Sequence, residues 1–215
     1  MKARIAILAC ISATVCFPGA QFAGGQEALD YSFPSNPCDT QPDSAPVFDG
    51  NGNLFGTCTN GTSDGLVYEL SSKVGGAWTE QAIYTFGLGS STATGSSPNG
   101  VIFDAKMVNL YGTTSDGGAY GSGVVFELSP KVGDGWTQAV LYSFGANGSN
   151  DGSTPMGSLV FDTSGNLYGT TSGGGANFDS GAVFELSPES GGFGLRRSCT
   201  AFPLSIMSEA VRRTV

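Results

Sequence analysis

One unit recurs three times along this 215-residue chain at a nearly constant spacing, and that repetition most constrains what the chain can fold into. The motif Asn-Leu-aromatic-Gly-Thr occurs at residues 53–57, 109–113 and 166–170. The motif aromatic-Glu-Leu recurs at equal steps, at residues 68–70, 126–128 and 184–186. Self-similarity at a fixed period indicates a repeat architecture, in which each unit buries its apolar faces against its neighbours.

Each unit holds four short apolar runs separated by turn residues. The third copy shows three of these runs most clearly, at residues 158–161, 166–171 and 181–186. The second copy shows the fourth run most clearly, at residues 136–144. Runs of this length, rich in Val, Tyr, Phe and Thr and bounded by Gly, Asp, Asn and Ser, predict β-strands. The repeat region shows no helical periodicity, so no helix is predicted there.

The pattern within the strands favours one architecture. Residues 159–161 and 124–126 are apolar at consecutive positions, so both faces of the sheet must be covered. A four-stranded sheet that is covered on both faces and then repeated is typical of propeller blades. We therefore predict an all-β fold of tandem four-stranded blades, forming a partial (open or truncated) β-propeller. A β-solenoid ranks second, because its repeat is normally much shorter.

The repeat also sets the predicted domain boundaries. The blades are residues 45–97, 98–154 and, incompletely, 155–192. A leader at residues 24–44 contains Tyr31-Ser32-Phe33, which matches residues 84–86 and 142–144. This leader is predicted to supply an opening outer strand.

Residues 193–215 do not continue the pattern. The tryptophan expected at position 194, one repeat after Trp136, is absent. A one-base shift of the reading frame, with synonymous codons chosen freely, restores Trp-Thr-Glu-Ala-Val-Leu-Tyr-Ser-Phe there. We interpret this segment as an out-of-frame tail and expect the natural protein to continue. Codons that do not allow the shifted reading would refute the interpretation.

Residues 1–23 predict a secretory signal peptide. Lys2 and Arg4 precede an apolar stretch, residues 5–17, and small residues follow near Ala20 and Ala23. A buried strand or a membrane anchor is the alternative, although the stretch is short for a membrane span. We expect a secreted or cell-surface location, with no membrane insertion after the signal is removed.

Cys38 and Cys58 are the two cysteines that remain once the signal peptide and the tail are set aside. Cys58 occupies the position that Thr114 and Thr171 fill in the other units. An oxidising compartment favours a disulfide between Cys38 and Cys58, which would tie the leader to the first blade. Two separate free thiols are the alternative.

The charge of the chain is acidic, with a formal net charge of −9. Without the signal peptide and the tail, 17 acidic residues face only Lys73, Lys106 and Lys131. Such a surface repels phosphate groups, which argues against nucleic acids and anionic membranes as partners. The expected partner is an extracellular ligand or a surface component of unknown identity.

The composition limits the available chemistry. The chain has no histidine, which excludes Ser-His-Asp and Cys-His catalysis and removes the commonest metal ligand. The glycine-rich stretches at 117–121 and 173–175 lack the lysine of a phosphate loop and are interpreted as inter-strand loops. No catalytic or cofactor-binding residue is predicted.

A series of aspartates, Asp49, Asp104 and Asp162, occupies the first turn of each unit. One interpretation is turn chemistry, because Asp accepts local backbone hydrogen bonds. The alternative is a metal site, since Asp49, Asn51 and Asn53 alternate oxygen ligands as a calcium loop does. Calcium is therefore the single cofactor considered.

A series of glutamates, Glu69, Glu127 and Glu185, lies in the third strand of each unit. Three lysines cannot neutralise all the acids, and an unpaired buried carboxylate is costly. These glutamates are expected either to accept structural hydrogen bonds or to bind a cation or ligand. The equivalent Trp78 and Trp136 are interpreted as packing anchors rather than sugar platforms.

Two motifs carry a resemblance to a known family. Leu-Tyr-Gly-Thr-Thr-Ser occurs at 110–115 and 167–172, and Val-Phe-Glu-Leu-Ser-Pro follows a glycine-rich loop at 125–130 and 183–188. This combination resembles the GloVer tandem repeat over about residues 45–192, although the first copy departs at Phe55, Cys58 and Ser72. The resemblance implies an exported repeat protein of environmental bacteria, without an established activity whose residues could be transferred.

These observations predict an exported, acidic β-propeller-type protein that acts as a binding or structural module at the cell surface or outside the cell. The alternative is an enzyme on a propeller scaffold, either a calcium-dependent lactonase or a polysaccharide lyase or hydrolase. An enzyme would gather non-repeating acids and amides at one mouth of the axis. The features found here repeat in every unit, which favours the module.

Overall fold

The computed structural model describes residues 31–33, 41–42, 44–60, 63–72, 78–87, 92–133, 135–148, 151–175, 181–189 and 192–200. The chain divides into two compact units, residues 1–32 and 33–215, and the described sheets lie in the second. The predicted signal peptide and Cys38 lie outside the described residues. In the described part of the chain, no helix has the length and apolar character needed to cross a membrane.

Three antiparallel sheets follow one another along the chain, and we refer to them as blades 1, 2 and 3. Blade 1 contains β1 (Gln41–Pro42), β2 (Val47–Phe48), β3 (Leu54–Asn60), β4 (Ser63–Ser72) and β5 (Trp78–Thr85). Blade 2 contains β6 (Ser96–Phe103), β7 (Leu110–Asp116), β8 (Val124–Pro130) and β9 (Trp136–Ser143). Blade 3 contains β10 (Gly152–Phe161), β11 (Leu167–Gly174), β12 (Ala182–Glu189) and β13 (Gly192–Thr200).

The strands of each blade are paired in sequence order. In blade 1, β1 and β2 both pair with β3, so together they form an interrupted first strand. A 3-10 turn, Thr92–Thr94, precedes blade 2. The predicted all-β fold, with tandem blades in an open, partial propeller-like arrangement, is confirmed.

The repeat motifs occupy the same register in every blade. The aromatic residue of the second long strand pairs with the glutamate of the third, as Phe55 with Glu69, Tyr111 with Glu127 and Tyr168 with Glu185. Equivalent residues of the three units therefore occupy equivalent places in three sheets.

Blade 2 is covered on both faces. Val124 and Phe126 belong to a hydrophobic cluster shared with blade 1, whereas Val125 belongs to a cluster shared with blade 3. All three side chains are fully buried. Successive side chains of a strand point to opposite faces of the sheet, so one face alone could not bury all three. Consecutive apolar residues therefore indicate a sheet covered on both faces, as predicted.

Both junctions between blades, and the contact of Phe33 with blade 1, repeat one aromatic contact. Two rings meet edge to face at 5.0, 5.2 and 5.1 Å between centroids in the pairs Phe33–Tyr68, Phe86–Phe126 and Phe144–Phe184. The interplanar angles of the three pairs are 67°, 65° and 66°. Edge-to-face contacts of this kind are favourable beyond the area they bury. The same joint is therefore used at each step of the array.

The structure corrects the predicted opening strand. Residues 31–33 form no strand. The ring of Phe33 nevertheless meets Tyr68 as Phe86 meets Phe126. The sequence match of residues 31–33 with residues 84–86 and 142–144 thus reflects a shared aromatic contact. Such a contact does not require residues 31–33 to form a strand.

The structure also corrects the extent of blade 3, which was expected to lack its fourth strand. Residues 192–200 form β13, which pairs with β12 over Val183–Ser187. Backbone hydrogen bonding at the open edge of β12 needs no particular side chain, so a segment without the repeat motif can pair there. The reading-frame interpretation remains a prediction about the coding DNA.

A second type of contact between blades joins glycine to proline. Gly65 and Gly123, which occupy equivalent positions in blades 1 and 2, have φ values of +99° and +92°. A Cβ atom on Gly65 would overlap Pro98, and one on Gly123 would lie 2.6 Å from Cδ of Pro155. Each proline belongs to the first strand of the next blade, so the glycines allow the blades to approach closely.

Met107 is expected to strain the first turn of blade 2. Its φ is +57°, at the turn position that Gly52 and Gly165 fill in the other blades with φ values of +87° and +84°. A side chain in this left-handed region costs about 1–2 kcal/mol. Since Met107 is 44% exposed, Met107→Gly should raise the free energy of unfolding by about 1 kcal/mol in urea titrations.

Val108→Gly is the control for this prediction. Val108 is similarly exposed but is not among the residues with positive φ. Its replacement should therefore lower stability slightly through backbone entropy. Equal effects of the two substitutions would contradict the assignment of strain to Met107.

Candidate functional site

A polar cluster recurs at the same place in each blade. It consists of the first-turn aspartate, the asparagine before the second long strand, the aromatic residue that follows, and the glutamate opposite. In blade 2 the members are Asp104, Asn109, Tyr111 and Glu127, and the pairing of β7 with β8 places Tyr111 against Glu127. We call this the Asp-Asn-aromatic-Glu cluster.

The Asp49 carboxylate organises the turn of blade 1. Its Oδ1 atom accepts hydrogen bonds from the backbone N–H groups of Asn51 and Asn53, both at 2.8 Å. Its Oδ2 atom accepts the Asn53 side-chain Nδ2–H at 3.0 Å and the Asn51 Nδ2–H at 3.5 Å. The three predicted calcium ligands are thus brought together, with N–H donors directed at the carboxylate. This is the arrangement of a hydrogen-bonded turn.

The other two turns use the aspartate in the same way. Asp162 Oδ1 accepts the backbone N–H of Ser164 and of Asn166, and its Oδ2 accepts Asn166 Nδ2–H at 2.7 Å. Asp104 Oδ1 accepts the backbone N–H of Lys106 and of Val108. In the described part of the chain, no three or more Asp, Glu, Cys or His side chains are grouped so as to hold a metal ion.

Glu127 accepts hydrogen bonds from two side chains of its own blade. The residue is 6% exposed, and its Oε1 atom accepts Asn109 Nδ2–H at 2.7 Å and Ser129 Oγ–H at 3.0 Å. Glu185 likewise accepts Ser187 Oγ–H at 3.1 Å. In blades 2 and 3, hydrogen-bond donors from the same blade thus support the structural interpretation of these glutamates.

The turn of blade 2 redirects its asparagine. The turn contains one extra residue, Val108. Its backbone N–H, four residues after Asp104, donates a hydrogen bond to Asp104 Oδ1. Asn109 then bonds to Glu127, whereas Asn53 and Asn166 bond to the turn aspartates. The cluster therefore keeps its members but exchanges one hydrogen-bond partner.

Two pKa shifts describe the electrostatics of the cluster in blade 1. Burial would raise the pKa of Asp49, but hydrogen bonds from the backbone and side chains of Asn53 and Asn51 outweigh it and lower that pKa. Burial, and then the nearby Asp49 charge, raise the pKa of Glu69. Compared with the free side chains, the surroundings in blade 1 therefore favour the charged form of Asp49 and the neutral form of Glu69.

Acid should weaken the fold through the turn aspartates. The folded-state pKa of Asp49 is lowered, and so is that of Asp162, mainly by the backbone N–H of Asn166. Their contribution to the free energy of unfolding is present above the unfolded-state pKa of about 3.9. It is lost as the pH falls through the lowered folded-state pKa values. The double variant Asp49→Asn, Asp162→Asn should therefore show a shallower loss of melting temperature below about pH 4.

Glu69→Gln gives the opposite sign and serves as the comparison. The raised folded-state pKa of Glu69 means that its contribution is present below about pH 4.3 and is lost as the pH rises through that pKa. The substitution should therefore help stability at neutral pH and lose this advantage in acid. Equal pH profiles for Glu69→Gln and the double aspartate variant would contradict both assignments.

Alkali should weaken the fold through Tyr111. Burial, and then the Glu127 charge, raise the pKa of Tyr111 from 10.0 to about 12. The stabilising contribution is complete below about pH 10 and is lost as the pH rises towards about 12. Tyr111→Phe should flatten this part of the melting-temperature profile, and the packing should tolerate it because Phe55 occupies the equivalent position. Tyr120→Phe, at a 58% exposed side chain, is the control and should leave the profile unchanged.

Sequence reasoning missed Asp151, which lies between β9 and β10. The residue is 1% exposed, and its Oδ2 atom accepts Tyr142 Oη–H at 2.7 Å and the Gly145 backbone N–H at 3.0 Å. Its Oδ1 atom accepts the backbone N–H of Gly152 at 3.0 Å. Asp151 thus fixes the link between blades 2 and 3. No signal in the sequence pointed to it, because the residue is not repeated in the other units.

Cys58, the one described member of the predicted disulfide, is fully buried in β3. The adjacent strand β1 pairs Pro42 with Cys58 and Gln41 with Thr59. Pairing with Cys38 stays a prediction, since Cys38 lies outside the described residues. Trp136, the predicted packing anchor of blade 2, packs against the cluster shared with blade 1.

Comparison with known proteins gives one family match. A family model described as Gloeobacter/Verrucomicrobia repeat matches residues 20–208, which is most of the chain. No curated protein matches.

Proposed function

This chain belongs to the Gloeobacter/Verrucomicrobia repeat family, and from that premise we propose that it is an exported, non-catalytic module that binds or supports components at the cell surface or outside the cell. Its blades form a scaffold, and its repeated polar residues maintain the turns and strands of that scaffold. The partner is an extracellular or surface component rather than a nucleic acid, because the chain carries a formal net charge of −9.

The observation that carries this proposal is the repetition of one joint. The ring pairs Phe86–Phe126 and Phe144–Phe184 meet at 5.2 and 5.1 Å, with interplanar angles of 65° and 66°. A scaffold assembled from equal units requires equal joints, so that each added unit extends the same surface. A catalytic site has no such requirement.

The use of the carboxylates supports the same proposal. Asp49 and Asp162 accept hydrogen bonds within their own turns, and Glu127 accepts them within its own blade. Groups held in this way in each unit serve the repeated structure. A glycosidase or lyase would instead direct acids from several elements at one reacting atom.

Incubation of the purified chain with a panel of insoluble polysaccharides and lactones, with and without calcium, tests the proposal. We expect no release of reducing ends, unsaturated sugars or ring-opened acid, and retention on a polymer would identify the ligand class. Turnover by the natural chain that is lost in Glu127→Gln would overturn the proposal. Glu127→Gln keeps the shape of the side chain, and its thermal melting is measured alongside to show that it is folded.

We further propose export with a Cys38–Cys58 disulfide. The pairing of Pro42 with Cys58 supports this, because it holds the chain just after Cys38 beside the buried sulfur. Expression in a Gram-negative host, followed by mass spectrometry before and after reduction, tests both points. An uncleaved chain in the cytoplasm would contradict export, and two alkylated thiols without reduction would contradict the disulfide.

A further inference from the structure

Tyr120 is an aromatic residue held at the surface on a closed loop. It lies in the loop between β7 and β8, residues 117–123, which we call the blade 2 loop, and it is 58% exposed. Within the loop, the Gly123 backbone N–H donates to the Gly117 carbonyl oxygen at 2.9 Å, and Gly117 forms a backbone bridge with Ser122. The loop therefore holds Tyr120 in a defined position in contact with solvent.

A cavity of about 270 Å³ lies beside Tyr120, where the blade 2 loop meets the first two strands of blade 3. Half of the residues that line it carry an aromatic or polar side chain, namely Tyr120, Ser122, Asp151 and Ser153, and the other half are glycines. Glycines leave backbone N–H and C=O groups accessible, because they have no side chain. An aromatic surface combined with a few polar groups is the usual composition of a small-molecule site.

Backbone hydrogen bonds fix the walls of this cavity to blade 3. The Thr154 N–H, in β10, donates to the Ser122 carbonyl oxygen at 3.0 Å. The Gly175 N–H, just after β11, donates to the Asp151 carbonyl oxygen at 2.7 Å. The cavity is therefore formed before any ligand arrives, which lowers the entropy cost of binding.

The Asp151 carboxylate shapes the same wall. It accepts the backbone N–H groups of Gly145 and Gly152, both at 3.0 Å, and it is 1% exposed. Thr94 occupies the equivalent position before blade 2, four residues ahead of the contact proline. A buried carboxylate is costly, and here it serves one junction rather than the repeated scaffold. Asp151 is thus a positioning residue of this cavity.

We propose that the cavity between the blade 2 loop and blade 3 is a binding site for one ring of a neutral saccharide. This inference rests on the proposed binding role and names its ligand class. The C–H groups on one face of a sugar ring carry a small positive charge, so they stack on the negative face of the Tyr120 ring. The sugar hydroxyls bond to the Ser122 and Ser153 hydroxyls and to the backbone groups of the glycines.

Charge and size narrow the ligand class. The Asp151 carboxylate already accepts hydrogen bonds from its own chain, so it offers little to a cation. The residues described as lining the cavity include no lysine or arginine to hold an anion, and the net charge of −9 repels one. The volume lies just below the range of about 300–1,000 Å³ that holds drug-sized ligands, which suits a single sugar ring.

Saturation-transfer NMR and calorimetry on the full chain test the site with the methyl glycosides of glucose, galactose and mannose. We expect at least one of them to bind with a dissociation constant on the order of 1 mM, as about 13 heavy atoms allow. Glucuronate and galacturonate should bind at least about tenfold more weakly than the matching glycosides. Absence of binding by all three glycosides at about 30 mM, or tighter binding of the uronates, would overturn the proposal.

Three substitutions locate the site. Tyr120→Ala removes the ring and should weaken glycoside binding about tenfold, whereas Tyr120→Phe keeps the ring and should retain most of the affinity. Phe48→Ala is the matched control, because it removes a 59% exposed aromatic side chain from blade 1, and it should leave binding unchanged. Undiminished binding by Tyr120→Ala, or equal loss in Tyr120→Ala and Phe48→Ala, would overturn the assignment to this cavity. Thermal melting of each variant shows that it is folded.

This inference and the proposed function fail in different ways. Release of product from a polysaccharide would overturn the non-catalytic module. Retention on a polymer that Tyr120→Ala does not reduce would leave the module in place and overturn this cavity as its site.

Discussion

Phe126→Ala is expected to lower the free energy of unfolding by about 3–5 kcal/mol, a large share of the roughly 5–15 kcal/mol that stabilises an ordinary domain. The Phe126 side chain is fully buried and meets the Phe86 ring at 5.2 Å across the junction between blades 1 and 2. Its removal exposes the neighbouring rings to a cavity that the backbone of two sheets cannot close. Denaturant titration followed by circular dichroism measures the change.

Phe48→Ala is the matched control for this prediction. The same substitution is made in the same array, but the Phe48 side chain is 59% exposed. Surface changes of this kind stay within about 0.5 kcal/mol. A loss at Phe126 that is no greater than the loss at Phe48 would show that the ring pair does not hold the blades together.

Gly123→Ala is expected to cost about 3 kcal/mol or more, through two effects that add. The φ of Gly123 is +92°, which disfavours any side chain. A Cβ atom there would also overlap the Thr114 carbonyl oxygen and lie 2.6 Å from Cδ of Pro155. The backbone fixes the position of an alanine methyl group, so no side-chain rotation could relieve these overlaps. The neighbouring backbone carbonyl and proline ring would themselves have to move. Thermal or denaturant unfolding of the variant gives the cost.

Gly133→Ala separates the two effects. Gly133 has a φ of +108°, but a Cβ atom there would meet nothing within 4 Å. It should therefore show the conformational cost alone, about 1–2 kcal/mol. If Gly123→Ala costs no more than Gly133→Ala, the close contact between blades 2 and 3 at Pro155 is not tight.

The strands rich in Val, Phe and Tyr could be predicted from the sequence, whereas the glycine- and proline-rich strands could not. The run predicted at residues 136–144 is β9, Trp136–Ser143. The first strand of blade 3 was expected from residue 158, but β10 begins at Gly152. Its first half contains Pro155, which resembles a turn in sequence. Within its sheet β10 pairs with β11 alone, so a proline at this edge loses no ladder hydrogen bond.

The candidate site divides in the same way between local and distant contacts. The turns of Asp49 and Asp162 follow from their own neighbours along the chain, and sequence reasoning reached the turn interpretation. The contact of Gly123 with Pro155 depends on how blade 2 meets blade 3. Such contacts cannot be read from the repeat period, because the period states which residues are equivalent and not which residues touch.

The ring pairs between blades have a consequence for the growth of such an array. A joint of constant shape gives each blade the same rotation relative to the one before it, so the geometry of Phe86 on Phe126 decides whether a longer array closes into a ring or winds on as an open helix. An extra unit inserted in frame would already carry the aromatic rings that pack against the units on either side.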